Sequence, residues 1–185
     1  MSGGPFIGNP FFINVGTQNR VYVPLGPLTL ALQGSLMRAF VEPNDDNWKE
    51  LRDGSAMDSV GGDRSVRGYQ EGLIGLRSSR GLADRFGGYL YNTANIELRF
   101  PLTSPEVLGN FAGAIFVDQG MVLPCKSLGC KQDMTFNEIV NDKGFGFSLG
   151  AGLRYNLPVG PIALDYGYSP IHNDWRIHVQ FGYPF

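Results

Sequence analysis

Two histidines, His172 and His178, and two cysteines, Cys125 and Cys130, are the residues best suited to acid–base, nucleophilic or metal chemistry in this sequence. Neither pair has the company that chemistry needs. The alternation of residue types puts His178 on the polar side of a strand and His172 in a loop, with no serine, cysteine or metal-ligand constellation beside them. Asp165 reads as a plain charge on a polar strand face. No enzyme activity, no cofactor and no metal site is therefore expected. Cys125 and Cys130 form a C-x4-C pair without the second pair that a tetrahedral zinc site takes. With Pro124 and Gly129 close by, the pair suits a small disulfide-closed loop in an oxidising compartment. Two free thiols in a loop remain the alternative.

The other chemistry-bearing stretch is GGDRSVRGYQEGLIG, Gly61 to Gly75. It lies inside a long turn-rich connection, Val41 to Gly88, and connections of that length are usually functional or disordered. Glycines at fixed places surround Val66, Arg67 and Tyr69, which fits a folded plug better than a linker. Taken from the loop alone, Arg67 reads as a solvated charge.

Seven runs of period-two alternation must position these residues. They are Phe11–Val23, Leu28–Phe40, Tyr89–Leu102, Phe111–Val122, Phe145–Leu157, Ile162–Tyr168 and Trp175–Phe185. In the third, Thr93, Asn95, Glu97 and Arg99 oppose Ala94, Ile96, Leu98 and Phe100. In the fourth, Ala112, Ala114, Phe116 and Asp118 oppose Phe111, Ile115 and Val117. Their connections run short, very long, short, long, short, short. In an antiparallel up-and-down sheet this gathers both long loops at one end, as in outer-membrane barrels. Aromatic residues such as Tyr155, Tyr166, Tyr168, Trp175 and Tyr183 sit where an interfacial girdle would. A soluble β-sandwich also alternates, but gives no reason for the long loops to share an end.

Composition agrees. The chain has 185 residues with 26 glycines, 13 phenylalanines and 8 tyrosines, and only 17% are charged. A net charge of -2 carries no nucleic-acid footprint. No run approaches the ~18 apolar residues of a membrane helix, which leaves a membrane barrel open. The start, MSGGPFIGNPFF, has neither the basic nor the apolar region of a signal peptide. Either the protein is cytosolic or these residues are not its natural start.

The string GGDRSVRGY resembles the loop motif of the BamA/TamA outer-membrane assembly superfamily. IELRFPL at Ile96–Leu102, FVDQG at Phe116–Gly120 and GAGLRYNLPVGPIALDYGYSP resemble the strands that follow it there. The aromatic end at Phe185 resembles the terminal β-signal. These motifs cover essentially the whole chain in order. The resemblance implies an all-β fold, an antiparallel up-and-down transmembrane β-barrel of sixteen strands, of which this chain supplies the C-terminal seven. Residues 1–185 would be one outer-membrane barrel domain, with loop 41–88 folding into the lumen. Its edge strands would be Phe11–Val23 and Trp175–Phe185, and Gly146, Gly150 and Gly152 would keep the nearby lumen roomy.

The same resemblance implies a loop lock of Val66, Arg67, Gly68 and Tyr69, with Arg67 meeting Glu97 and Asp118. It implies a lateral seam and β-signal along Trp175, Ile177, Val179, Phe181, Tyr183 and Phe185. The implied role is insertion of other barrels into a bacterial outer membrane, or passage of a polypeptide across it. A two-partner secretion transporter or a passive outer-membrane pore is the alternative. Implied partners are outer-membrane lipid, unfolded outer-membrane or secreted polypeptides, upstream periplasmic domains and accessory subunits.

Overall fold

The computed structural model describes residues 12–41, 60–77, 85–86, 90–102, 111–123, 135–141, 144–157 and 160–182. Seven strands form one antiparallel sheet: β1 (Phe12–Leu25), β2 (Leu28–Val41), β5 (Leu90–Pro101), β6 (Phe111–Leu123), β7 (Phe145–Leu157), β8 (Gly160–Ser169) and β9 (Asp174–Phe181). They pair in that order, each with the strands before and after it among these seven, so β1 and β9 are the two ends. Two short strands, β3 (Leu76–Arg77) and β4 (Arg85–Phe86), make a separate hairpin inside the long connection. A six-residue helix, α1 (Phe136–Asn141), lies inside the second long connection. Neither was legible as alternation, because both are too short to show a period. Among the described residues, no helix is long and apolar enough to cross a membrane, which says nothing of crossing by strands.

The turns follow from local chemistry. Leu25 pairs with Leu28 across Gly26-Pro27. Gly26 takes φ +65°, and proline cannot follow it into positive φ, so the turn is of the II′ kind that matches strand twist. β8 and β9 are joined through Pro170–Asn173, where Asn173 adopts φ 49° and accepts a hydrogen bond from the Tyr168 hydroxyl at 3.1 Å. The expected last strand reached Phe185. Here β9 ends at Phe181, while Tyr183 and Phe185 lie outside the described residues.

The two faces of the sheet are inverted relative to a water-soluble protein. Thr93, Asn95, Glu97, Asp118, Ser148, Arg154, Asp165, Ser169 and Gln180 are buried. Ile96, Ile115, Val117, Leu149, Leu153, Leu164, Ile177 and Val179 are exposed. The polar face is covered by the segment Val60–Gly75, which crosses β5 to β9. Val60 and Ile74 bridge its two ends through backbone hydrogen bonds of 3.1 and 2.7 Å. Val60, Val66, Tyr69 and Ile74 pack with Val122 into a small apolar core between loop and sheet.

The glycines on this face do not leave room. A Cβ at Gly146 would lie 2.2 Å from Ile74 Cδ1, and one at Gly150 would lie 2.4 Å from Phe116 Cζ. At Gly152 it would lie 1.8 Å from Asp165 Oδ1. The expectation of a roomy interior there is corrected: the space that missing side chains free is filled by the loop, a ring and an ion pair.

Candidate functional site: an arginine held by three carboxylates

Arg67 is 1% exposed and sits where β5, β6 and β8 each present one acid. Its Nε and Nη2 donate to the two oxygens of Asp118 at 2.8 and 2.9 Å, a bidentate fork, and its backbone N–H adds a third bond to Asp118 Oδ2 at 3.0 Å. Nη1 donates to Glu97 Oε2 at 2.5 Å and to Asp165 Oδ2 at 3.3 Å. The guanidinium carbon lies 3.5 Å above the Phe116 ring, a cation–π contact made in a site closed to water. A planar five-donor fork fits this seat in a way that a lysine ammonium does not. Burial alone would lower the Arg67 pKa. The hydrogen bond and charge of Asp118, followed by the charges of Glu97 and Asp165, outweigh that and raise it, so the group stays cationic.

The acids are themselves shared. Arg99 Nε donates to Glu97 Oε1 at 2.7 Å. Arg154 donates from Nη1 to Asp165 Oδ1 at 2.5 Å, and from Nη2 to Glu97 Oε2 at 3.0 Å and Asp165 Oδ2 at 3.2 Å. The cluster Arg67, Arg99, Arg154, Glu97, Asp118 and Asp165 is thus charge-balanced, three against three. Neutrality within one cluster is what makes so many ionised groups tolerable out of water.

One nitrogen bonding both Glu97 on β5 and Asp165 on β8 also fixes the shape of the wall. On a flat sheet those strands are three spacings, ~14 Å, apart. Two short acidic side chains cannot close that gap to one atom, so the sheet curves around the loop.

The rest of the loop is tied to β5, β7 and the β8–β9 hairpin. Gly68, at φ 98°, passes so close to the wall that a Cβ would lie 2.9 Å from Ser148 Cβ and 3.1 Å from the Gly167 carbonyl carbon. Its N–H points to His178 Nε2 at 3.5 Å. The Tyr69 hydroxyl meets His172 Nδ1 at 2.8 Å, accepts from the Ser169 hydroxyl and accepts from Phe147 N–H at 3.2 Å. Gln180 Nε2 donates to the Asp63 carbonyl at 2.8 Å, and Asn95 Nδ2 to the Ser65 carbonyl at 2.5 Å.

The structure therefore brings Val66, Arg67, Gly68, Tyr69, Glu97 and Asp118 together. Trp175, Ile177, Val179 and Phe181, expected to line a seam, are not part of this cluster; they project from the other face of β9, exposed by 57%, 59%, 60% and 84%. Cys125 and Cys130 lie outside the described residues. Sequence reasoning did not find Asp165 as a partner of Arg67, nor Arg154, Arg99, Phe116 and the two histidines as members of the site. For Arg154 and Asp165 a signal existed. They lie on strands joined by only two residues, and counting outward from the Leu157–Gly160 pair puts them diagonal on one face.

The full chain, residues 1–185, matches the model of the Omp85 superfamily domain. It is 31% identical over 123 residues to outer envelope protein 80, chloroplastic, of Arabidopsis thaliana, covering 66% of this chain and 14% of that protein. It is 33% identical over 113 residues to outer envelope protein 39, chloroplastic, of the same plant, covering 60% and 25%. Among solved structures it is similar to BamA from Haemophilus ducreyi lacking POTRA domains 1-3, with a TM-score of 0.66 and 23% identity over 92% of this chain and 34% of that one. That last likeness is one of fold: seven antiparallel strands in one sheet that match part of the BamA barrel. The chain thus spans a quarter or less of the two curated relatives.

Proposed function

The chain belongs to the Omp85 superfamily, and from that premise we propose that it forms part of an outer-membrane β-barrel of the BamA/TamA type. Such a barrel assembles or inserts other barrel proteins, or passes polypeptides across the membrane. Residues 1–185 act as one barrel domain in this reading, with the 41–88 connection docked inside. The observation that carries it is the inverted sheet. A charged face is buried beneath a folded loop, and an aliphatic face is bare, as lipid outside and a plugged lumen inside require. Relatives named for the chloroplast outer envelope and a bacterial BamA fold support an outer membrane as its place.

The proposed mechanism makes and breaks no covalent bond. β9 pairs with β8 on one side only within this sheet, so its other edge offers main-chain donors and acceptors. An unfolded client strand adds to that edge by hydrogen bonding, while Trp175, Ile177, Val179 and Phe181 face lipid beside it. Upstream periplasmic domains and accessory subunits deliver the client. The docked loop braces the wall from within.

Arg67→Ala in the full-length protein tests this reading. It leaves Asp118 buried without its fork, and removing one member of a buried ion pair costs about 3–5 kcal/mol. Protease cleavage within residues 60–77 should rise, and insertion of an outer-membrane client into lipid vesicles should slow by about tenfold or more. Cleavage and insertion both at wild-type rates would sink the proposal.

A further inference from the structure

We infer that Arg154 and Asp165 are positioning residues: they form the standing half of the socket that receives Arg67, and they act on the loop only through its guanidinium. The inference rests on the loop being a docked lock. Four atoms carry it. Arg67 Nη1 bonds Glu97 Oε2 at 2.5 Å, Glu97 Oε2 bonds Arg154 Nη2 at 3.0 Å, Arg154 Nη2 bonds Asp165 Oδ2 at 3.2 Å, and Asp165 Oδ2 returns to Arg67 Nη1 at 3.3 Å. This is a closed ring of alternating charge. Three of its corners belong to the sheet and only one to the loop.

Each sheet corner has a task. Glu97 and Asp165 come from strands with two others between them, and two carboxylates aimed at one spot repel. Arg154, on β7, lies between them and bonds both, so the two oxygens that Arg67 needs are already turned toward each other. Arg154 gives up something for this: its Nε is buried with no hydrogen-bond partner among the described residues, a cost that its terminal nitrogens offset. Gly152 supplies the space. A Cβ there would meet Asp165 Oδ1 at 1.8 Å and Arg154 Nη1 at 2.6 Å, so this β7 position must be bare for the pair to lie flat against the wall. With the loop withdrawn, the wall's own groups sum to one excess negative charge: three acids against Arg99 and Arg154. The ring is the place where that excess meets Arg67.

The experiment is a double-mutant cycle in the full-length protein, reconstituted in lipid vesicles. Cleavage of residues 60–77 by added protease is the readout, and heat-modifiable gel mobility certifies folding. Asp165→Asn should raise loop cleavage about tenfold when Arg67 is present and leave it unchanged in the Arg67→Ala background, because contacting residues of one network couple. Gly152→Ala displaces the pair without changing any charge. It should behave as Asp165→Asn does, and it decides the matter if Asp165→Asn does not fold. Equal effects in both backgrounds, or no effect with Arg67 present, would overturn the inference. Should Arg67→Ala itself leave cleavage unaltered, it is the lock reading that fails, and the two failures are told apart.

Discussion

Tyr69 does with one hydroxyl what Arg67 does with a guanidinium: it joins the loop to several strands at once. Its ring belongs to the apolar core beneath the loop, and its oxygen touches Ser169, His172 and Phe147. Burial pushes its pKa above the ordinary value of 10.0, and the charge of Asp174 adds to that, against the lowering effect of its bonds to Ser169 and Phe147. A group whose folded pKa is raised gives stability that is complete below its unfolded value and is lost as pH climbs through the folded one. The docked loop should therefore hold through about pH 10 and loosen in stronger base. The tyrosinate absorbance that full-length wild type has in excess of Tyr69→Phe should appear only above that range. An excess that titrates at the usual tyrosine value would contradict it. The same substitution leaves polar partners unmet, at a cost of about 1–3 kcal/mol. None of this was legible in the sequence. Tyr69 was marked by its neighbours in VRGY, but its partners lie 78 to 103 residues away, and nothing local announces them.

At the scale of elements, the strands were legible because residue character changes at every second position over eight to fourteen residues, aliphatic outward and mostly polar or small inward, with Phe116 and Val122 of β6 as inward exceptions. Glu97 and Asp118 could be put on polar faces for that reason. Register was not legible. That Glu97 comes within reach of Arg154, or that Gly167 meets the loop, depends on how far strands joined by long connections slide past each other, and period two is blind to a shift of two. The glycines show this best. Their type was evident and their meaning was not, since empty space in a sequence becomes occupied space once a neighbour is laid over it. Gly167 tests the point. A Cβ there would lie 2.5 Å from Gly68 N and 2.7 Å from the Arg67 carbonyl carbon, backbone atoms that cannot step aside. Gly167→Ala should leave the sheet folded and heat-modifiable while undocking the loop, an overpacking penalty of about 1–3 kcal/mol seen as faster loop proteolysis. A loop as protected as wild type would mean that the segment has freedom the packing denies.

For the whole molecule, the inverted faces set what the surroundings must be. Val117 stands at the centre of β6 and is 40% exposed on the aliphatic side. Val117→Arg should cost about 2–4 kcal/mol if that side meets the middle of a bilayer, read as a smaller heat-modifiable fraction after reconstitution. An arginine tolerated there without loss would place water, not lipid, against the sheet. Arg67 reaches its strand partners across 30, 51 and 98 residues of chain, and Asp63 meets Gln180 across 117. A ribosome finishes the loop long before the strands that seat it. Through the whole interval Arg67 has no socket, and long closures are the slow ones. The loop thus cannot be fully seated before its strands are present, and its seating reports that the strands from β5 to β9 have already arrived.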